Sequence, residues 1–585
     1  MAQRPPDRTD VSNVLVIGSG GAGLRAAIAA HDAGCDVTVV GKRLRKDAHT
    51  VLAAGGINAA IGTRDPDDHW GWHVLDTWNE GYELADPRKV EILAKEAPDR
   101  LHELADWGLP FARTEDGEID TRYFGAHRYR RTAYAGDWTG RAIVETLHDQ
   151  VVQRRIPIRE HRYVSRLLVE DGVCFGAMTF DLESGERTVE LADSVVLAAG
   201  GHTRLWRRSS SRRDENNGDG MSLALHAGCT LQDLELVQFH PTGLTFPEEH
   251  AGTLVTEAVR GEGGRLYNAD GERFMERYDP ERLELSTRDR VAIANFTEIA
   301  EGRGGPHGGV FLDISHLDKD TIREKLPRMH RQFVELQMID IGEEPVEVAP
   351  TAHYSMGGVH VESETAATGV EGLFAVGELT AGLHGANRLG GNSLAETVVF
   401  GRRAGEAAAE RSHTLDVQLR SRAVIAAAND ELDAAVRDGD TVVRQVQRDL
   451  RDTMWEHVGV VRDEDGLQAA LARLDELERA AEDVDVRPDA QGHRDLAAAL
   501  DLRGSIEAAR ATTVLALARR ESRGAHQRGD FPDRDDDHQL VKHTARRDDD
   551  GRLVVDQRPR AAIPDHLREW VTAADEVDTT GRLLE

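Results

Sequence analysis

The stretch Val14-Leu15-Val16-Ile17-Gly18-Ser19-Gly20-Gly21-Ala22-Gly23 sets a short apolar run against a loop rich in glycine. The run predicts a buried strand. A small-residue helix is expected from Leu24 to about Ala33, stopping at Gly34, a residue suited to the position after a helix end. Val37 to Val40 supplies the next strand. Strand, loop, helix and strand together form the context a dinucleotide fingerprint requires. The glycines let backbone approach a pyrophosphate, and the helix amino terminus offers it N–H groups. One part is missing: Gly41-Lys42 follows the second strand, where a ribose-binding carboxylate is normally expected. This argues against NAD and leaves other dinucleotides open.

Working outward, Ser194-Val195-Val196-Leu197-Ala198-Ala199 ends in Gly200-Gly201, and Leu373-Phe374-Ala375-Val376 ends in Gly377-Glu378. Both are short apolar runs that stop at glycine, as expected at the carboxyl edge of a sheet facing a ligand. With the first loop they predict one extended cofactor held by a discontinuous domain. Between them, Thr242 to Ala349 has the mixed composition of an inserted domain. From Ser412 to Val484 the pattern turns helical. Val442, Val446, Leu450 and Met454 repeat every four residues, as do Leu467 and Leu471, with Leu474 and Leu477 continuing that stripe. Such stripes predict bundle core. Pro532 to Asp537 and Asp548 to Gly551 read as acidic loops.

The chain has 585 residues, 40% of them hydrophobic, enough for a large core. No apolar run reaches the ~18 residues a membrane span needs, and Met1 to Asp10 has no signal-peptide core. The formal charge of −32 argues against nucleic acid, whose phosphates require a basic face. Seven lysines stand against 65 arginines. An acidic, lysine-poor surface suits a salt-rich cytoplasm, where counterions screen self-repulsion. A GC-rich genome would explain the arginine bias but not the acidity. Cys35, Cys174 and Cys229 lie far apart, which predicts a reducing compartment and no iron–sulfur cluster on this chain.

Six polar, glycine-punctuated blocks are dense in His and Arg. They centre on His49-Thr50 with Gly55-Gly56; on Gln238-Phe239-His240; on Thr256-Glu257 with Arg260; on Arg288-Asp289; on His353; and on His384 to Leu394. Read physically, they offer two histidines and two arginines suited to a small dianion, since an arginine fork matches a carboxylate bidentately and histidine adds donors. Taken singly, His240 could cap a turn and Arg288-Asp289 could be a surface pair.

These blocks, in order and at similar spacing, resemble the flavoprotein subunit of the succinate dehydrogenase and fumarate reductase family almost end to end. Arg523-Gly524-Ala525-His526 and Asp530 to Asp535 add to the match. The resemblance implies an α/β fold: a Rossmann-like FAD-binding domain (1–241 and 350–411), an inserted α+β capping domain (242–349), a helical domain (412–520) and a C-terminal domain (521–585). It implies FAD along Gly18, Gly20, Gly21, Ala22 and Gly23, then Gly41, Lys42, Thr50, Gly55 and Gly56, with Asp219, Glu378, Ser393 and Leu394 as further contacts. His49 matches the histidine that bonds covalently to the flavin.

The same resemblance places the carboxylates of succinate or fumarate on His240, Thr256, His353 and Arg388. Arg288 matches the group that exchanges a proton with substrate carbon, with Glu257 and Arg260 as relay partners whose i, i+3 spacing lets them meet on one turn. Arginine is a poor base in water, with a pKa above ~12. Crowding by Arg260 and Arg388 in a desolvated site would favour proton transfer. The expected activity is succinate oxidation. Electrons are expected to leave through an iron–sulfur protein subunit to membrane anchor subunits, on the cytoplasmic face of the cell membrane. Alternatives are fumarate reduction by the same residues, L-aspartate oxidase, whose family lacks a histidine at the His49 position, and soluble single-chain fumarate reductases, which carry haem or extra flavin domains. A scaffold without catalysis would have lost these polar residues. Asp137-Trp138-Thr139-Gly140-Arg141 departs from the family's usual Asp-Arg-Thr-Gly-His, and the stretch beyond about Thr544 is expected to match the family weakly.

Overall fold

The computed structural model describes residues 5–44, 47–488 and 492–572; Arg45 and Lys46, inside the expected FAD segment, lie outside them. The opening strand runs Arg8–Ile17 and pairs in parallel with Val37–Val40 on one side and Arg187–Leu197 on the other. Leu373–Ala375 pairs in parallel with the end of Arg187–Leu197, whose first half pairs antiparallel with Val173–Asp181. Strands Ile158–Arg159 and Arg162–Glu170 complete a seven-stranded sheet. Ile17 lies opposite both Val40 and Leu197, and Ala375 opposite Leu197. Four strands therefore end level, and Gly18, Gly41, Gly200 and Gly377 follow at one edge.

The first helix spans Gly21–Asp32, three residues earlier than its apolar pattern implies. Its first turn is built from the glycine loop, and its N-cap residue, Gly20, has no side chain to cap it, so apart from the Gly21 N–H, which meets the Thr50 hydroxyl, its first N–H groups are left for a ligand. Gly18 has φ +114°, and a Cβ there would meet the Ala198 carbonyl oxygen at 2.2 Å. Only glycine fits this approach of loop to sheet.

Strands Val237–Leu244 and Val346–Ser355 pair antiparallel, then add Val310–Asp313 and Arg265–Tyr267. Leu244, Leu266, Phe274, Val291, Leu312, Phe333 and Val348 form a core of their own against this sheet. The two long strands cross the expected limits of the inserted body at Thr242 and Ala349. They carry His240 and His353 at the junction, with His240 opposite Thr351.

Helices Arg422–Ala435, Val443–His457, Glu464–Glu482 and Arg494–Ala518 bury Val446, Leu450, Met454, Leu467, Leu474 and Leu477 together, with Leu471 partly buried against them. Val442 does not join that stripe. It precedes the helix in extended backbone and is 64% exposed. Val541–Arg547 and Leu553–Pro559 form a hairpin whose first strand pairs with Leu231–Gln232. Asp548 to Gly551 is its turn. Among the described residues no helix is long and apolar enough to cross a membrane.

A buried ionic lattice ties this last segment down. Arg519, with no exposed side-chain surface, reaches Glu235 at 2.7 Å, Glu521 at 3.1 Å and Asp233 at 3.2 Å. Arg523 grips Glu521 with both donors, sharing Oε1 with Arg519 at 2.8 Å and taking Oε2 at 2.9 Å, and donates to the Tyr82 carbonyl. Removing one partner from such a cluster strands the remaining charges. Arg519→Met is therefore expected to cost about 3–5 kcal/mol of stability, read as a fall in the denaturation midpoint, and a loss below about 1 kcal/mol would show that the lattice contributes little.

Candidate active site

The level strand ends, the inserted sheet and the helical body enclose a cavity of about 2010 Å³. All the residues expected at the site line it except Gly23 and Arg260. Gly23 is packed on the Gly18 carbonyl, where a Cβ would come within 1.9 Å. Arg260 is buried one layer back.

At the sheet edge, Gly20 and Gly21 open onto the cavity beside Thr50, whose hydroxyl accepts from the Gly21 N–H at 3.2 Å. A second uncapped helix, Asn392–Thr414, begins at the cavity wall with Ser393 and Leu394. Two positive helix ends therefore face the same space. Lys42 donates to Asp219 at 2.8 Å and to Asp501 at 3.1 Å, and the Tyr163 hydroxyl donates to Asp501 at 2.9 Å. Burial, partly offset by Lys42, pushes the Asp501 carboxyl up to about 6. Two acids from distant helices thus stand beside the end of the second strand, where its own sequence supplies none.

His49 sits on the short helical turn His49–Leu52, with Nδ1 2.9 Å from a Glu215 oxygen. Burial opposes protonation of this imidazole most strongly, yet the Glu215 charge and hydrogen bond together with the Glu378 charge outweigh it and raise His49 above its ordinary range. Burial likewise works against ionisation of Glu215, but His49 and the Arg212 backbone N–H pull it down to about 2. Glu378 accepts from the Ser355 N–H at 3.1 Å and lies under Gly201. Burial raises its carboxyl, against the nearby His49. The glycine cradle, the free helix ends and the acids at Asp219 and Glu378 fit an FAD.

Across the cavity, His240 and His353 stand edge to face, with ring centroids 5.4 Å apart. Burial and then the surrounding arginines, Arg288 for His240 and Arg388 for His353, push both imidazoles well below their ordinary range, so both are neutral. The Thr242 N–H donates to His240 Nδ1 at 3.2 Å. That nitrogen must be bare, and the proton resides on Nε2. His353 Nδ1 shares a hydrogen bond with the Ser210 hydroxyl at 2.9 Å. Thr256 is half-buried on the cavity wall.

Arg388 is buried, lies over the Tyr354 ring at 4.4 Å, and donates to Gln238 Oε1 at 2.9 Å and to Ser393 at 3.2 Å. Its Nε has no partner, and among the described residues no carboxylate lies within ion-pair distance. Burial and the Arg288 charge push it down to about 10. Arg288 Nη1 approaches the same Gln238 oxygen at 3.5 Å, while its Nε donates to Glu257 at 2.8 Å. Arg260 lies 4.0 Å from Glu257 one turn on, so the expected i, i+3 approach is present. Burial disfavours ionised Glu257, but Arg288 and Arg260 outweigh it and hold the carboxyl below its ordinary range. At this end the cavity wall carries Arg288 and Arg388 against Glu257, with Arg260 one layer behind.

Several members escape sequence reasoning. Gln238 anchors both arginines but reads as a strand residue. Glu215 and Ser210 lie in an arginine-rich loop without periodicity. Asp501 had a usable signal, an acid between the buried Ala499 and Leu502 of an apolar helix. The Asp137 to Arg141 segment packs Gly140 against the His49 turn, its N–H donating to the Ala53 carbonyl at 2.8 Å. The two departures face away: Trp138 is exposed, and Arg141 pairs with Glu145 at the surface.

Level strand ends with a glycine cradle, opposite a cationic pocket with neutral histidines, define an FAD-binding oxidoreductase. A family model for an FAD binding domain matches residues 13–394, and one for the fumarate reductase flavoprotein C-terminus matches 447–564. The second match runs past Thr544, so the tail is more family-like than its sequence implied. The chain is 45% identical to a chain of the CoM/CoB fumarate reductase of Methanothermobacter marburgensis, over 89% of this chain and 94% of that one. It is 38% identical to the succinate dehydrogenase flavoprotein subunit of Rickettsia conorii, over 94% and 95%. A solved E. coli quinol fumarate reductase chain superposes with a TM-score of 0.90 at 34% identity, covering 95% of this chain and 98% of that one. The chain belongs to the succinate dehydrogenase and fumarate reductase flavoprotein subunit family.

A buried guanidinium without an ion-pair partner is costly. Arg388→Met is expected to leave the ligand-free melting midpoint unchanged or higher, and to abolish the upward shift produced by a dicarboxylate such as malonate. A lower midpoint with the malonate shift intact would make Arg388 a structural residue.

Proposed function

We propose that this chain is the flavoprotein subunit of a succinate dehydrogenase, oxidising succinate to fumarate on FAD bonded through His49. The observation that carries this is the buried Arg388, lacking a carboxylate and facing neutral His240 and His353 across the cavity. The pocket is complete only with a small dianion. When bound, FAD supplies the two-electron acceptor for a hydride.

The chain's own residues do the rest. Arg388, His240, His353 and Thr256 hold the two carboxylates, which fixes the carbon skeleton against the flavin and removes its orientational freedom. The Nε2–H of His240 donates without adding a charge. Arg288 hands its Nε proton to Glu257 as it takes one from the neighbouring carbon, so its charge is restored, and Glu257 and Arg260 form the path by which the proton leaves. The inserted body, on the far side of the junction strands, excludes water as it closes on the cavity. Glu215 fixes the orientation of His49 for attachment to the flavin.

Fumarate reduction is the same path reversed, and the methanogen relative, itself a fumarate reductase, favours it as the second reading. His49 stands against L-aspartate oxidase. In Arg288→Lys, turnover in either direction is expected to fall at least a thousandfold, while a yellow colour survives acid precipitation because the flavin stays bonded. Substantial residual turnover would sink the proton role of Arg288. With full maturation, a colourless pellet would sink the His49 bond.

Electrons taken by the flavin need an exit, and the three cysteines are free, buried thiols. We infer that the partner is an iron–sulfur protein subunit, with membrane anchor subunits behind it, the assembly lying at the cytoplasmic face of the cell membrane and feeding a quinone. Quinone reduction is expected from the assembled complex and not from the isolated chain; equal rates from both would remove the partner.

A further inference from the structure

The loop after Gly200-Gly201 carries Arg204, Arg207, Arg208, Arg212 and Arg213, and through Ser210 and Glu215 it touches His353 and His49. Facing it, helix Val443–His457 presents Arg444, Arg448 and Arg451. They follow one another by four and three residues and so share one face, with Arg451 at its edge beside buried Met454. Both rows line the cavity. Of the ionisable residues on its wall, fifteen are Lys or Arg and eleven Asp or Glu. This excess is opposite in sign to the −32 of the whole chain.

The rows are poorly neutralised. Arg207 reaches Asp452 at 3.3 Å, and Arg212 is 4.0 Å from Asp47. Arg208 donates to the carbonyls of His307 and Gly308 and lies over Trp455. Among the described residues Arg204, Arg213, Arg444, Arg448 and Arg451 have no ion pair. Burial, then the repulsion of Arg204 and Arg213, pushes Arg451 down to about 10. A structural arginine would be paired, and a solubilising one would not crowd its neighbours along a cavity wall.

We propose that these two arginine rows form an anion-collecting mouth that draws dicarboxylates from solution toward the inner pocket. This rests on the dicarboxylate reading above and adds a second, outer site to it. Walls of one sign around a low-dielectric cleft focus the field and raise the local concentration of a dianion, an effect screened over about 10 Å at 0.1 M salt. The mouth acts on entry, before the proton and hydride move, and so governs kcat/KM and not kcat.

The test uses the assembled complex with succinate, an artificial electron acceptor, and KCl from about 20 to about 500 mM. The double variant Arg444→Gln/Arg448→Gln changes two exposed side chains outside the inner pocket. It is expected to keep kcat within about twofold, to lose about five- to tenfold in kcat/KM at the lowest salt, and to converge on the parent at the highest. Arg444→Lys/Arg448→Lys should keep the parent's salt slope. Identical slopes for the parent and the Gln pair, or equal losses in the Gln and Lys pairs, would overturn the mouth. A parent complex that turns over neither succinate nor fumarate would instead overturn the dicarboxylate reading.

Discussion

A guanidinium taken out of water with no carboxylate to meet it is the constraint on which this molecule turns. Arg388 is held there by neutral contacts alone: the Gln238 amide oxygen, the Ser393 hydroxyl and the Tyr354 ring. Such a charge persists only where its surroundings over-determine its position. The loop leading to it is accordingly tied on every side. His384 shares a 3.0 Å hydrogen bond with Glu396, which also takes the Tyr354 hydroxyl at 2.6 Å. Asn387 donates to Glu80 and Asp289, and Ala386 is bonded to Gly81 and Ala525. A whole field of polar contacts keeps one cation bare.

The remaining groups respect the same restraint on charge. Histidines beside two arginines could not also be cationic, and burial with the arginine field keeps His240 and His353 neutral. Each then serves as a directed dipole. Glu257 is the carboxylate paired with Arg288, and it sits on Nε. Because strands Val237–Leu244 and Val346–Ser355 belong both to the inserted sheet and to the cavity wall, the histidines lie where the two bodies meet. Relative movement of those bodies would be felt first at the imidazoles.

How much of this was legible in the sequence depended on range. The glycine loop and its flanking strands were readable because a dinucleotide cradle is local: about thirty residues contain both pattern and reason. The resemblance of six polar blocks to a known family supplied His49, His240, Arg288, His353 and Arg388, and the cavity gathers all five. Partners chosen by tertiary packing were hidden. Lys42 finds its acids at Asp219 and Asp501, 177 and 459 residues on, and no periodicity announces that. Gln238 alternates along a strand like any other polar residue. Val442 kept the four-residue spacing yet fell outside the stripe, because a helix end is set by its backbone and not by its apolar repeat. The hairpin Val541–Pro559 hid its kinship behind a sheet partner two residues long.

The interlock of Gly524 with Ala386 bears on how the molecule comes into being. The Ala525 N–H donates to the Ala386 carbonyl at 2.9 Å, and a Cβ on Gly524 would meet that same oxygen at 2.5 Å. Nascent polypeptide emerges from the ribosome amino end first, so the nucleotide cradle can assemble while synthesis is still under way. The loop bearing Arg388 gains its brace only once some 525 residues have been translated. Every residue on the cavity wall, Asp501 included, therefore precedes the brace in the chain, and the arginine loop is the last part of the site to be secured.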